Sequence, residues 1–169
     1  MTAARDPKVA VLMGSASDMA TMQSAVDVLA ELGIPVEVRV LSAHRTPDRA
    51  IEFARTAADR GVKVLICGAG GAAHLAGVVA AHTLLPVIGV PMGRSLGGLD
   101  ALYATVQMPP GIPVATVAVD GAQNAGLLAA QILAVSDEAL RVSLGRRRDD
   151  LSQKVAAADE EIRAKHSRL

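Results

Sequence analysis

Val62-Lys63-Val64-Leu65-Ile66-Cys67-Gly68-Ala69-Gly70-Gly71 decides the fold of this 169-residue chain. Apart from Lys63, residues 62–67 are apolar and rich in branched side chains, and the run is too short for a helix. It reads as a strand buried on both faces. Gly68-Ala69-Gly70-Gly71 then reads as a sharp turn into a helix over residues 72–82. The same grammar recurs on either side. Upstream, Val9 to Met13 is a short apolar strand ended by Gly14-Ser15, and Ser17 or Asp18 caps a helix that runs to Leu32 and stops at Gly33 and Pro35. Residues 36–41 alternate like a strand. After a loop at 42–47, Pro47 suits the first turn of a helix ending near Gly61. Downstream, 87–90 and 114–119 read as strands and 122–135 as a helix.

Strands alternating with helices, the strands short and mostly near-continuous apolar runs, predict a parallel sheet covered on both faces. The expected class is α/β, a three-layer flavodoxin-like (Rossmann-like) parallel sheet with a C-terminal helical tail. One domain is expected over residues 1–169, with a core over 8–135 and a tail over 137–169. The tail is densely charged, but Leu140, Leu144, Leu151, Val155 and Ile162 recur at roughly helical spacing, interrupted by Gly145. Such a stripe needs a partner, and packing on a neighbouring subunit is expected. Ligand sites in open parallel sheets lie beyond the carboxyl ends of the strands. The candidate loops are 14–18, 42–47 and 68–74, supported by 91–98 and 107–113.

Composition narrows the function. The chain has 17 basic and 17 acidic residues and a net charge of zero. A broad nucleic-acid footprint needs a basic excess, so no nucleic-acid partner is expected. Hydrophobic residues make up 51% of the chain, with Phe53 and Tyr103 the only aromatics besides histidine. Mean hydropathy is +0.35. This apolar mass exceeds what one small subunit hides, which points to oligomerisation. Residues 75–91 are the most apolar stretch after the N-terminus, but His82, Thr83, Pro86 and several glycines break them, so no membrane span is expected. The N-terminus, residues 1–7, lacks the apolar core of a signal peptide. Cys67 is the only cysteine, which excludes an internal disulfide and fits a reducing, cytoplasmic setting.

Three loops carry candidate chemistry. In Gly14-Ser15-Ala16-Ser17-Asp18, two hydroxyls and free N–H groups at a helix start favour an anion such as phosphate, and Asp18 can accept from ribose hydroxyls. Taken alone, helix capping is the commoner role for such residues. In Ser42-Ala43-His44-Arg45-Thr46-Pro47, a proton carrier adjoins an anion clamp, or a surface His adjoins an exposed Arg; the loop alone leaves both open. In Gly68-Ala69-Gly70-Gly71-Ala72-Ala73-His74 the near absence of side chains lets a ligand approach the backbone. The loop fails the dinucleotide pattern G-x-G-x-x-G at Ala73, and it follows the third strand rather than the first. His74 reads equally as a satisfied histidine within the fold. His44, His74, His82 and His166 show no metal-ligand spacing, and no Walker A motif is present, so neither a metal nor ATP is expected. Cys67 reads as a small core residue rather than a nucleophile.

Taken in order, these segments are specific. Met13-Gly14-Ser15-Ala16-Ser17-Asp18, Ser42-Ala43-His44-Arg45-Thr46-Pro47 and Gly68-Ala69-Gly70-Gly71-Ala72-Ala73-His74-Leu75 resemble the M-G-S-x-S-D, S-A-H-R-T-P and G-A-G-G-A-A-H-L motifs of the N5-carboxyaminoimidazole ribonucleotide mutase family. This is the class I PurE, or AIR carboxylase catalytic-subunit, family. Val106-Gln107-Met108-Pro109, Gly111-Ile112-Pro113-Val114 and Asn124-Ala125-Gly126-Leu127-Leu128-Ala129 also look like family segments. The resemblance covers residues 8–135. Two departures stand out. His74-Leu75-Ala76-Gly77 replaces the usual H-L-P-G, and residues 92–98 are shorter and richer in glycine than is usual.

The resemblance implies an isomerase of purine biosynthesis. It moves a carboxylate from the exocyclic N5 of an aminoimidazole ribonucleotide to ring carbon C4, without ATP, metal, biotin or any other cofactor. It also implies the roles: His44 catalytic as acid and base, Arg45 with Ser42 on the phosphate, Ser15 and Asp18 holding the substrate, and the backbone of Gly70, Gly71, Ala72 and Ala73 facing the carboxylate or CO2, with His74 nearby. The partners implied are the small ribonucleotide and further copies of the chain in a homo-octamer. Three rivals remain: direct carboxylation with free CO2, a non-catalytic flavodoxin-like module binding a nucleotide or FMN, and a paralogue that binds without turnover.

Overall fold

The computed structural model describes residues 6–167, so the reading of the first residues falls, for 1–5, outside what is described. The sheet is formed by β1 (Val9–Met13), β2 (Val36–Val40), β3 (Val64–Gly70), β4 (Val87–Met92) and β5 (Ala115–Thr116). The helices are α1 (Met19–Glu31), α2 (Pro47–Thr56), α3 (Leu75–Ala80), α4 (Leu99–Val106), α5 (Ala122–Ala134) and α6 (Glu138–His166), with 3-10 turns at Ala16–Asp18 and Leu96–Gly98. All neighbouring strands pair in parallel, in the order β2-β1-β3-β4-β5. Strand order reverses after β2, so the chain-order switch falls at β1 and β3, and their carboxyl ends define the ligand crevice. The expected three-layer α/β class is the observed one.

Alternation along the strands divides the core. Leu12, Leu65 and Cys67 point to the face where α2 and α3 contribute Ala50, Phe53, Ala54, Leu75, Ala76 and Val79. The other face receives α1 through Met22, Ala25 and Leu29, all fully buried. Two glycines mark its closest approaches. A Cβ on Gly68 would meet the side chains of Met92 and Met22, the Met22 Sδ at 2.6 Å, and one on Gly126 in α5 would stand 2.9 Å from the Ala25 carbonyl oxygen. With few aromatics, the chain fills its core by bringing small residues close rather than by inserting rings.

Several boundaries differ from the sequence reading. β3 continues through Gly70, and α3 begins only at Leu75. Gly68 is therefore a strand residue whose missing side chain admits two methionines, not the opening of a turn. α2 ends at Thr56 and β5 has two residues where six were expected. α4 was not foreseen at all. The helix at 19–31 is preceded by a 3-10 turn capped by Ser15, whose hydroxyl accepts the Ser17 N–H at 3.4 Å while Asp18 accepts the Ser15 N–H at 3.0 Å. Ser15 thus caps the turn in a box with Asp18, and Asp18 stands at the N-cap position of α1 without a side-chain capping bond to it. α6 runs unbroken through Gly145, and Asp137 caps it by accepting the Leu140 N–H at 3.0 Å. Contacts divide the chain into one compact unit ending at Ile132 and a second beginning at Leu133. Among the described residues no helix is long and apolar enough to cross a membrane.

Candidate active site

Beyond the carboxyl ends of β1, β2, β3 and β4 lies a cleft of about 250 Å³. It is lined by Gly14, Ser15, Ser17 and Asp18, by Ser42, Ala43, His44 and Arg45, by Ala69, Gly70, Ala72, His74 and Leu75, and by Arg94. Loops distant in sequence converge because parallel strands deliver all their carboxyl ends to one edge.

The loop after β2 folds on itself. Thr46 N–H donates to the Ser42 carbonyl at 3.0 Å, and Ser42 N–H donates to Thr46 Oγ1, also at 3.0 Å. This closed turn projects His44 and Arg45 toward the cleft. Ser42 Oγ accepts the Arg45 N–H at 3.1 Å, and Arg45 Nη2 donates to the Gly14 carbonyl at 2.7 Å. The guanidinium is therefore moored across the β1 loop, with further N–H groups left for an anion. His44 Nε2 lies 2.9 Å from His74 Nδ1, with the rings edge to face at 85° and centroids 4.9 Å apart. One ring must donate and the other accept, so the pair holds either no charge or one positive charge while the bond lasts. A proton can pass along that hydrogen bond from one ring to the other.

On the opposite flank, Arg94 extends from the loop after β4. Its Nη2 is 2.8 Å from Asp18 Oδ1. Asp18 is 4% exposed, one of two buried polar residues among those described. Two guanidinium groups from opposite sides thus close on the 14–18 loop, each through one N–H.

The structure brings together Ser15, Asp18, Ser42, His44, Arg45, Gly70, Ala72 and His74. It does not bring Gly71 or Ala73 to the lining; Ala73 is 1% exposed and turns its methyl into the core. Residues 107–113 also stay off the lining, and Met108 instead packs over Gly77, its Sδ 3.1 Å from where a Cβ there would stand. The supporting loop 91–98 reaches the lining through Arg94, a residue the sequence does not single out; nor does it single out Asp120, whose carboxylate accepts the Gly93 N–H at 2.9 Å at the root of that loop. Burial pushes the Cys67 thiol pKa far up, so this residue belongs to the core and not to the chemistry. Among the described residues no group of three or more His, Cys, Asp or Glu could hold a metal ion.

Residues 8–154 match the family described as AIR carboxylase. A protein of Mycobacterium leprae named N5-carboxyaminoimidazole ribonucleotide mutase is 54% identical over 166 residues, covering 98% of this chain and 97% of its own. One of the same name from Bacillus subtilis is 54% identical over 159 residues, covering 92% and 98%. Among solved structures, Treponema denticola PurE superposes with a TM-score of 0.83 at 31% identity, covering 92% of this chain and 98% of that one.

Proposed function

The chain belongs to the AIR carboxylase family, and from that membership we propose that it converts N5-carboxyaminoimidazole ribonucleotide into 4-carboxy-5-aminoimidazole ribonucleotide in purine biosynthesis. The observation that carries the reading is the His44–His74 hydrogen bond at 2.9 Å in the same cleft as Arg45, Ser15 and Asp18.

The chemistry needs little more than that. The bond between N5 and the carboxylate carbon breaks, releasing CO2 and leaving its electron pair on an electron-rich ring. C4 attacks the CO2 and forms the new carbon–carbon bond. N5 gains one proton and C4 loses one, so the net requirement is a single proton carried between two atoms of one substrate. A histidine serves as acid and then base because its ordinary pKa lies near neutrality. His44 is assigned that role, with His74 as the ring that takes or supplies its hydrogen bond. Arg45 and Ser42 hold the phosphate, Ser15 and Asp18 the ribose side, and the backbone of Gly70, with Ala72, lies against the migrating carboxylate. CO2 must not escape, so the cleft has to close around the substrate. Assembly as a homo-octamer in the cytoplasm belongs to the same proposal, as does the absence of any cofactor.

The test is conversion of N5-carboxyaminoimidazole ribonucleotide followed in ultraviolet absorbance, with EDTA present and ATP absent. Turnover is expected under these conditions. His44→Asn keeps a polar group but loses the proton carrier, so kcat should fall by about 10²–10⁴-fold with substrate binding retained. Activity only with aminoimidazole ribonucleotide and bicarbonate would make the chain a direct carboxylase. Near-normal turnover of His44→Asn would move the proton to another group.

A further inference from the structure

We propose that Arg94 is a positioning residue of the ribonucleotide site, acting through Asp18: it fixes the Asp18 carboxylate and cancels its charge, so that a polyanionic substrate can use Asp18 as an acceptor. This rests on the function proposed above.

The path of Arg94 is built into the fold. From the carboxyl end of β4 its chain crosses the end of β3, and its Cδ and Cγ lie 3.3 and 3.6 Å from where a Cβ on Gly70 would stand. Any larger residue at position 70 would crowd that path. The loop's root is pinned twice by Asp120, which accepts the Gly93 N–H through Oδ1 at 2.9 Å and donates its own N–H to the Pro91 carbonyl at 2.9 Å. Asp120 does this at a φ of +56°, and Leu96, Gly97 and Gly98 follow at +45°, +64° and +83°. A run of three left-handed residues is costly except at glycine, so the loop's shape is specified rather than incidental.

Asp18 needs what Arg94 supplies. Its Oδ2 accepts the Ser15 N–H at 3.0 Å and its Oδ1 faces Arg94 Nη2 at 2.8 Å. A nearly buried carboxylate held by one neutral donor alone is strongly disfavoured, and a guanidinium partner corrects that. A carboxylate has about four acceptor positions. Two are filled by the protein, which leaves room for ribose hydroxyls. Charge makes the same point. Of the formally charged residues lining the cleft, Asp18 is negative and Arg45 and Arg94 are positive. Without Arg94, the carboxylate offsets Arg45 and nothing remains to favour a ligand carrying both phosphate and carboxylate.

The experiment is a kinetic series on the full chain: Arg94→Gln, Arg94→Lys, Asp18→Asn and the double variant of Arg94→Gln with Asp18→Asn, each checked for folding by circular dichroism. Calorimetric binding of aminoimidazole ribonucleotide runs alongside, because it tests Arg94 whether or not the wild-type chain turns over the carboxylated substrate. Arg94→Gln should raise KM and the nucleotide Kd by about ten- to a hundredfold, the scale of a charge-assisted hydrogen bond, with kcat changed by less than about threefold. Arg94→Lys should recover most of the loss. With Asn at position 18 the Arg94→Gln change should add less than about threefold, since the two act as one unit. An unchanged KM in Arg94→Gln, a fall in kcat at constant KM, or full additivity with Asp18→Asn would each overturn the proposal. Absence of turnover in the wild-type chain with the binding pattern intact would instead overturn the function and leave Arg94 in its role.

Discussion

Gly89 sits where β4 meets α4, and replacing it with alanine should be costly in a way one further substitution reverses. It pairs in register with Cys67 on β3 and Thr116 on β5. A Cβ there would collide with Thr105 Cγ2 and stand 3.1 Å from Val114 Cγ1 and 3.4 Å from Ala76 Cβ. Carbon atoms settle at about 3.5–4.0 Å, so the collision with Thr105 dominates and the other two contacts are tight or ordinary. Thr105 is 2% exposed, and its hydroxyl donates to the Ala101 carbonyl at 2.7 Å, so it cannot swing its methyl away without losing that bond. Overpacking of this kind costs about 1–3 kcal/mol, equivalent to roughly 2–12 °C in Tm for a chain of this size. Thr105→Ser keeps the hydroxyl and deletes only the colliding methyl, at about 1 kcal/mol for the buried carbon lost. In the double variant the new methyl occupies the vacated space, so the two costs should fall short of their sum by at least about 1 kcal/mol. Urea unfolding at one fixed protein concentration measures all four corners of the cycle. Additive losses, or a Gly89→Ala variant as stable as the parent, would refute the packing argument.

Arg45→Ala should weaken nucleotide binding by about ten- to a hundredfold while sparing some turnover at saturating substrate, and calorimetry that finds normal affinity would move the phosphate toward the 14–18 loop. The Asp100 carboxyl is held below the usual carboxylate range, first by the Ser95 hydroxyl and then by the Ala101 N–H. Both bonds favour the ionised form, so their contribution is present above the ordinary carboxylate pKa and is lost as pH falls through the lowered value. Ser95→Ala should raise the Asp100 midpoint in an NMR titration, and an unmoved midpoint would refute the assignment. On α6, Leu151 and Val155 are 54% and 71% exposed. If they cover a neighbouring copy, the double change Leu151→Glu and Val155→Glu should lower the mass found by light scattering; an unchanged mass would remove this helix from the assembly.

The fold was legible where burial imposes a pattern. β1 and β4 begin where the apolar runs begin, because a strand covered on both faces has to be apolar throughout, whereas the edge strand β2, VEVRV and partly exposed, was legible by alternation instead. Legibility failed where glycine carries two meanings. Gly68 and Gly70 looked like a turn, yet they continue β3, since what they supply is room for Met22, Met92 and Arg94 rather than a bend. Gly97 and Gly98 hid α4, although they end the loop that precedes it, and Leu99, Leu102, Tyr103 and Val106 carry helical spacing directly after them. β5 is shorter than expected: residues 114–119 are apolar but for Thr116, while only Ala115–Thr116 pair with β4.

The two arginines of the cleft show the same limit at the level of the site. Arg45 adjoins His44 in one closed turn, so sequence proximity alone puts a guanidinium beside an imidazole. Arg94 has no such neighbour: it stands in a glycine-rich segment beside Ser95, and its partner Asp18 belongs to the loop of another strand. Only the strand order makes them meet. β1 lies between β2 and β3, and β4 lies beyond β3, so the β2 loop reaches the β1 loop from one side and a long side chain from the β4 loop reaches it across β3 from the other. Short side chains at position 94 would not span that distance, and a side chain at position 70 would obstruct it. The glycine-rich loop and the bare Gly70 backbone act together on the path of Arg94, which is readable only once the topology is known.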